Sequence, residues 1–283
     1  MSRVRCVLLL IVCIAVQALE VSAQIRIAAP YYLAESFNAL NRGRSCGDGR
    51  LPEQHSYPSG AVELALLCKA LLREGPLEFE FVLAPNYARA LKLLEQGRAD
   101  IAAETIWFED ANPDSFWLSE PLLLIGESEK GLYLPKGHRA LGATSVDIRA
   151  LSAITTAGWR QDRMVLDELS AHSRQVVKQQ SIFELLKLGR ADFTLLSFPN
   201  SAALTVERYG GEFEPLPGVR VLMPSSRHYA ISRRSLHGKA LQQRLNTVLA
   251  RMRRTGELND YLRHLGIGNP AVSGWRVVNR VAQ

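Results

Sequence analysis

The sequence predicts an α/β protein built as two similar lobes. One observation behind this is a doubled octapeptide, Leu-Leu-x-x-Gly-Arg-Ala-Asp, at 93–100 and again at 185–192. A second is that each copy closes an amphipathic stretch and opens a short apolar run, Ile101-Ala102-Ala103 in one case and Phe193-Thr194-Leu195-Leu196 in the other. Glycine just past a helix adopts the left-handed conformation at little cost, so the chain can turn at once into a strand. The third is the order of elements around each copy, β-α-β-α-β, which an open parallel sheet with crossover helices requires. Two such Rossmann-like lobes imply a cleft between them.

Taken in order, residues 1–23 read as a signal peptide. Met1-Ser2-Arg3-Val4-Arg5 is basic, the apolar run from Cys6 to Ala18 is too short to span a bilayer, and Val21-Ser22-Ala23 offers small residues for cleavage before Gln24. Lobe 1 begins at residue 24 and runs to 127. Its elements are a strand at Gln24–Pro30, a polar loop from Tyr31 to Pro58, and a helix from Ser59 bearing Val62, Leu66, Leu67 and Leu71. A strand at Leu77–Leu83, a helix capped by Asn86 and a third strand at Asp100–Glu104 follow. Two strand-like pieces around Gly126 and Gly131 link it to lobe 2, residues 128–226. That lobe reads as a strand at Ser152–Ala157, a helix at Gln161–Ser170, a strand at Val176–Gln179, a helix at Ser181–Leu188 and a strand at Phe193–Leu196. The return from Val219 to Arg233 leads into the rest of lobe 1, residues 227–283. There Lys239–Arg254 places Leu241, Leu245, Val248, Leu249 and Met252 on one face, Gly256 ends the helix, and a shorter one spans Leu258–Leu265. Arg251, Arg253 and Arg254 fall at a helix C-terminus and read as a solvated face. Two linkers imply a hinge with two crossings.

Composition narrows the class. A hydrophobic fraction of 47% with 22% charged residues is that of a globular chain, and the net charge of +6 is spread along the sequence rather than gathered into a basic arm. Nucleic acid is therefore not an expected partner. Four cysteines become two after cleavage, Cys46 and Cys68. In an oxidising compartment a disulfide is the expected state, worth about 3 kcal/mol, with two buried thiols as the alternative. The six histidines form no metal-binding spacing, and there is neither a Gly-x-Ser-x-Gly elbow nor a phosphate loop. No metal or cofactor is expected.

Across nearly all of the mature chain these phrases resemble the family 3 solute-binding proteins, with the type II periplasmic-binding fold used for polar amino acids. The resemblance is carried by the two Leu-x-x-Gly-x-x-Asp units, by Trp117-Leu118-Ser119-Glu120-Pro121, by Gly131-Leu132-Tyr133-Leu134, and by the helix from Leu245 to Gly256. It implies a periplasmic, monomeric binding protein serving an ABC-type permease or a sensor protein.

Ligands in open α/β sheets bind beyond the carboxyl ends of the strands. That rule selects Tyr31, Glu104, Thr105 and Trp107 in lobe 1, and Trp159, Arg160, Ser197 and Asn200 in lobe 2. Arg160 opens a helix, where an anion is favoured, and the resemblance assigns Thr105 a ligand-binding hydroxyl. It also implies an arginine clamp a few residues beyond Thr105. This chain carries Glu109 and Asp110 there, so the resemblance stops short of the clamp, and Glu104 becomes a candidate for a cationic or hydroxylated group. Asp192 begins its strand and reads as a structural cap. The expected function is binding of a small polar solute. The alternatives are a protein-interaction module derived from such a binder, or a cyclohexadienyl-type dehydratase using Glu104 as acid–base group.

Overall fold

The computed structural model describes residues 24–40, 46 and 59–281. The expected signal peptide lies outside them, as does most of 41–58. The chain forms β1 (Gln24–Pro30), α1 (Tyr31–Leu40), α2 (Ser59–Leu72), β2 (Glu78–Ala84), α3 (Tyr87–Glu95), β3 (Ile101–Ala102), β4 (Ile106–Trp107), β5 (Phe116–Leu118) and β6 (Glu129–Pro135). Next come β7 (Ser152–Thr156), α4 (Arg160–Leu169), β8 (His172–Val176), α5 (Gln179–Lys187), β9 (Thr194–Ser197), β10 (Val206–Arg208), β11 (Gly211–Pro215) and β12 (Val219–Leu222). The last are β13 (Arg227–His228), β14 (Ala230–Ser232), α6 (Gly238–Thr255), α7 (Glu257–His264) and β15 (Arg276–Val277).

Two sheets repeat one plan. The first runs β2-β1-β3-β14-β5, with β1 parallel to β2 and β3, and β14 antiparallel to both its neighbours. In the second, β7 is parallel to β8 and bridges through Ala153 and Phe193 to the start of β9, which pairs antiparallel with β6. Thus β8-β7-β9-β6 matches β2-β1-β3-β14, and in each sheet the fourth strand arrives from the far side of the other. Strands β11 and β12 add to the free edge of β6.

The doubled octapeptide explains how each register is set. Gly97 (φ 72°) and Gly189 (φ 62°) take the left-handed turn. The closing aspartate then clasps the neighbouring strand. Arg26 N donates to Asp100 Oδ2 at 2.8 Å and Asp100 N donates to Arg26 O at 2.8 Å. Ser152 N donates to Asp192 Oδ2 at 2.7 Å and Asp192 N donates to Ser152 O at 2.8 Å. Burial alone would raise both carboxyls, but these bonds, with Arg26 and Ser235 at one and His138 at the other, hold them below the usual range. Asp192 is the structural cap its position suggested.

Several expectations need correction. Residues 31–40 are helix rather than loop: Leu33, Ala34, Phe37 and Leu40 recur at helical spacing and are buried against α2. Strand β8 precedes the expected Val176–Gln179. Its residues, His-Ser-Arg-Gln-Val, are largely exposed on the sheet edge, so no apolar alternation marks it. Gly126 lies in a turn (φ 80°), not a strand. Arg253 is not simply solvated: it bonds Glu127 at 2.9 Å and Leu122 O at 3.0 Å, tying α6 to the outgoing linker. The tail joins the second sheet. Strand β15 pairs with β12 in the second sheet, Val272 is buried beside Phe198, and Asn269 donates to Pro199 O and Ser201 O.

The first core gathers β1, α1, α2, α6 and α7, including all five apolar residues expected on one face of α6. Each such side chain contributes about 1.5–3 kcal/mol. Cys46 and Cys68 form a disulfide, Cα–Cα 5.0 Å, that ties Cys46 to α2.

Candidate functional site

Beyond the carboxyl ends of β1 and β3 lies a connected polar cluster. Strand β4 pairs antiparallel with β13, Trp107 opposite Arg227. This ladder brings Arg227 across from 120 residues away in the chain. Its guanidinium carbon lies 5.1 Å from the centre of the Trp107 ring, Nη2 donates to Thr105 O at 2.7 Å, and Nη1 is 3.2 Å from Glu63 Oε1. Glu63, on α2, is 1% exposed. Its other oxygen accepts from Thr105 N at 2.7 Å and Thr105 Oγ1 at 2.9 Å, while Tyr229 donates to its backbone carbonyl at 2.6 Å. A buried carboxylate needs such pairing, because leaving it unpaired costs several kcal/mol.

Glu104 stands beside this network, partly buried. Tyr32 donates its hydroxyl to Glu104 Oε1 at 3.2 Å. Burial, and then the nearby Glu63 charge, push the Glu104 carboxyl up to about 7, against the opposing pull of Arg227 and the Tyr32 bond. Burial would lower Arg227, but Glu63 and Glu104 keep it firmly charged. Tyr87, from the start of α3, is raised by burial and feels the charges of Arg227, Asp110, Glu104 and Glu63.

The facing element is the start of α4. Trp159 is its N-cap residue and Arg160, exposed, its first residue. Asp162 in the first turn accepts from Lys130 Nζ at 2.6 and 2.8 Å, and that ammonium lies 5.9 Å from the centre of the Trp159 ring. Two links cross to the turn Phe108–Asp110. Gln161 Nε2 donates to Glu109 Oε2 at 3.0 Å, and the same oxygen accepts from the Ser225 hydroxyl. Burial raises the Asp110 carboxyl, and the Arg160 charge opposes that rise.

The structure therefore gathers Glu104, Thr105 and Trp107 in one cluster, with Trp159 and Arg160 at the head of α4. Thr105 is wholly buried and gives its hydroxyl to Glu63. Tyr31 is 51% exposed, and its neighbour Tyr32 makes the bond to Glu104. Ser197, opposite Lys130 in the β6–β9 ladder, and Asn200 are exposed. Sequence reasoning missed Glu63 and Arg227. A lone acid inside Gly-Ala-Val-Glu-Leu-Ala-Leu-Leu was a signal for the first, since a charge in a buried helix requires a partner. Nothing local marked Arg227. Among the described residues no group of three His, Cys, Asp or Glu side chains is placed to hold a metal ion, and no helix is long and apolar enough to cross a membrane.

No protein-family model matches the chain, and no curated protein matches its sequence. Solved structures do. YtmK of Bacillus subtilis, a probable amino-acid ABC transporter extracellular-binding protein, is similar with a TM-score of 0.58 at 15% identity, over 86% of this chain and 98% of that one. The VFT2 domain of Bordetella pertussis BvgS is similar at 0.55 and 16% identity, over 89% and 93%. AbpA of Streptococcus pneumoniae, an amino acid ABC transporter substrate-binding protein bound to L-arginine, is similar at 0.53 and 17% identity, over 88% and 96%. These likenesses cover 86–89% of the chain, and the chain has the two-lobed α/β fold of type II periplasmic-binding proteins.

Proposed function

We propose that the protein is an extracytoplasmic solute-binding protein that closes its lobes on a small polar solute. The bound form would be offered to an ABC-type permease or to a sensor protein. The observation that carries this reading is the convergence of two half-sites. Tyr32, Glu104 and Trp107 stand beyond the strand ends of one sheet, and Trp159 and Arg160 at the head of α4 beyond the other, with Gln161 already bonded across to Glu109. An apolar-aromatic wall with few polar groups is the usual composition of a small-ligand pocket, and hinge closure is the usual motion of two lobes around one. Two of the similar structures are described as amino-acid ABC transporter binding proteins, which supports uptake as a destination.

In this reading lobe 1 comprises 24–127 with the return from 227, and lobe 2 comprises 128–226 with the tail strand laid on it. Residues 1–23 direct export. Glu104, Trp107, Trp159, Arg160, Ser197 and Asn200 meet the solute, Tyr32 joins Tyr31 at the mouth, and Thr105 acts by holding Glu63. The test is a thermal-shift and calorimetric screen of the exported protein against amino acids, organic acids and polyamines. One class of solute should raise the melting temperature and bind with one-to-one stoichiometry. Capture of a stoichiometric protein partner with no response to any solute would favour the interaction-module reading instead.

A further inference from the structure

At the end of the first sheet away from the cleft, we infer that the loop Arg233–Lys239 docks on an anionic phospholipid membrane, with Leu236 as the side chain that enters it. Strand β14 runs antiparallel to β3, so it ends where β3 and β1 begin. There Ser232 N donates to Asp100 O at 2.8 Å, and Asp100 is itself 1% exposed and paired with Arg26. The candidate cleft lies at the opposite, carboxyl ends of β1 and β3. Leu236 is 98% exposed, more than any other large apolar side chain among the described residues. A single exposed leucine is ordinary on a protein surface, and it is the setting of this one that points to a partner. From Pro215 to Gly256 the chain carries nine arginines and lysines and no aspartate or glutamate. Toward the end of α6 they are matched from elsewhere, Arg251 by Glu74 and Arg253 by Glu127. At the loop they are not. Arg233, Arg234 and Lys239 are exposed and form no ion pair among the described residues. Arg98, also exposed and unpaired, joins them from beside Gly97, where an added Cβ would stand 3.0 Å from Arg234 Cβ.

The loop is braced so that Leu236 points outward. Ser232 Oγ donates to Leu94 O at 2.6 Å, and Ser235 N donates to Ser232 O at 3.2 Å. His237 N donates to Ser235 Oγ at 3.1 Å and Gly238 N to Ser235 O at 3.2 Å. A Cβ at Gly238 would stand 2.5 Å from Ser232 O and 2.7 Å from Trp117 Cζ3, so α6 starts hard against the sheet. The Arg233 and Lys239 charges lie 5.3 and 5.7 Å from the centre of the Trp117 ring, which holds both beside the protruding leucine. A protein partner needs about 1,000 Å² or more of complementary surface, far more than one loop with one apolar side chain. A bilayer accepts a single apolar side chain at its headgroup boundary and meets scattered cations with diffuse phosphate charge. The chain also enters β1 at Gln24 on this same end, so the expected signal peptide would hold this end toward the membrane from which the protein is released.

The experiment is cosedimentation of the exported protein with vesicles of phosphatidylcholine and phosphatidylglycerol mixed three to one, against vesicles of phosphatidylcholine alone. At low salt the anionic vesicles should be bound about 100-fold more tightly, and high salt should remove most of that difference. Leu236→Ser should weaken binding about 10-fold. Arg98→Gln with Arg234→Gln should weaken it about 25-fold, at about five-fold per cation. None of these three side chains makes a hydrogen bond or ion pair among the described residues, so the variants keep the fold. Removing two exposed cations from the other lobe, Arg174→Gln with Arg190→Gln, should change binding by less than about two-fold, which separates a local surface from overall positive charge. Equal losses from the two charge pairs, equal or absent binding to both vesicles, or undiminished binding by Leu236→Ser overturns the inference. Binding of poly-L-glutamate as tightly as the anionic vesicles, indifferent to Leu236→Ser, also overturns it and assigns the loop to an acidic protein segment. Solute binding in the cleft stands or falls separately from all of these outcomes.

Discussion

Removing Arg227 should expose how the site is built. Arg227→Met keeps the length of the side chain and its contact with Trp107 but deletes the charge. What remains is Glu63, 1% exposed, holding two hydrogen bonds from Thr105 and no cation. Breaking a buried ion pair by removing one partner costs about 3–5 kcal/mol. Two features place this case at the lower end. The Arg227 side chain is itself 19% exposed, and Thr105 still satisfies one carboxylate oxygen. We expect a loss of about 3 kcal/mol, measured by urea denaturation followed through tryptophan fluorescence. Glu63→Gln should also destabilise, by removing the carboxylate that Arg227 and Thr105 both hold. The double variant should be less costly than the sum of the two, with a coupling energy of about 2 kcal/mol. Lys136→Ala is the contrast. That pair, 2.5 Å long, is largely exposed on both sides, and its loss should leave the denaturation midpoint in place. Strict additivity of Glu63→Gln and Arg227→Met would refute the reasoning, as would a loss below about 1 kcal/mol for Arg227→Met.

Glu104→Gln should stabilise the solute-free protein at pH 8 by up to about 3 kcal/mol and do nothing at pH 4, checked by denaturation across pH. The sign follows from a folded value raised to about 7 from 4.5: below 4.5 both states are protonated, and the cost of ionising the folded site enters as pH rises toward 7. Asp192→Ala should cost about 2–3 kcal/mol, since Ser152 N loses its side-chain acceptor at 2.7 Å and His138 its partner at 3.0 Å. Because Asp192 is held below the usual range, its contribution is present above that range and should fade as pH falls through its folded value. Reducing Cys46–Cys68, 22 residues apart, should lower stability by about 3 kcal/mol, read as a fall in the denaturation midpoint.

The parts of the fold legible in the sequence were those with periodic signals or punctuation. The repeated glycines, Asn86 and the apolar face of α6 each announce themselves locally. Helix α1 carried a readable pattern at Leu33, Phe37 and Leu40, but its polar neighbours and the long stretch to Ser59 disguised it. The site was legible only on its strand-end side. Glu104 and Trp107 follow from the position of β3, whereas Arg227 reaches them through a pairing of β4 with β13 that no local pattern encodes. Thr105 was expected at a strand end, whereas its burial and its bond to Glu63 depend on where α2 packs. Position along the sheet could be read; the direction in which a side chain is spent could not.

The place of β14 has a consequence for how the chain is made. Ile231 is opposite both Ile101 and Trp117, so one three-residue strand closes the gap between β3 and β5. A growing chain reaches it only after all of β6 to β12 has been synthesised. All of the second sheet but β15 has then been made, while the first still lacks the strand that pairs with Ile101. Such an unpaired edge invites mispairing with other chains. The first sheet is begun first and closed late.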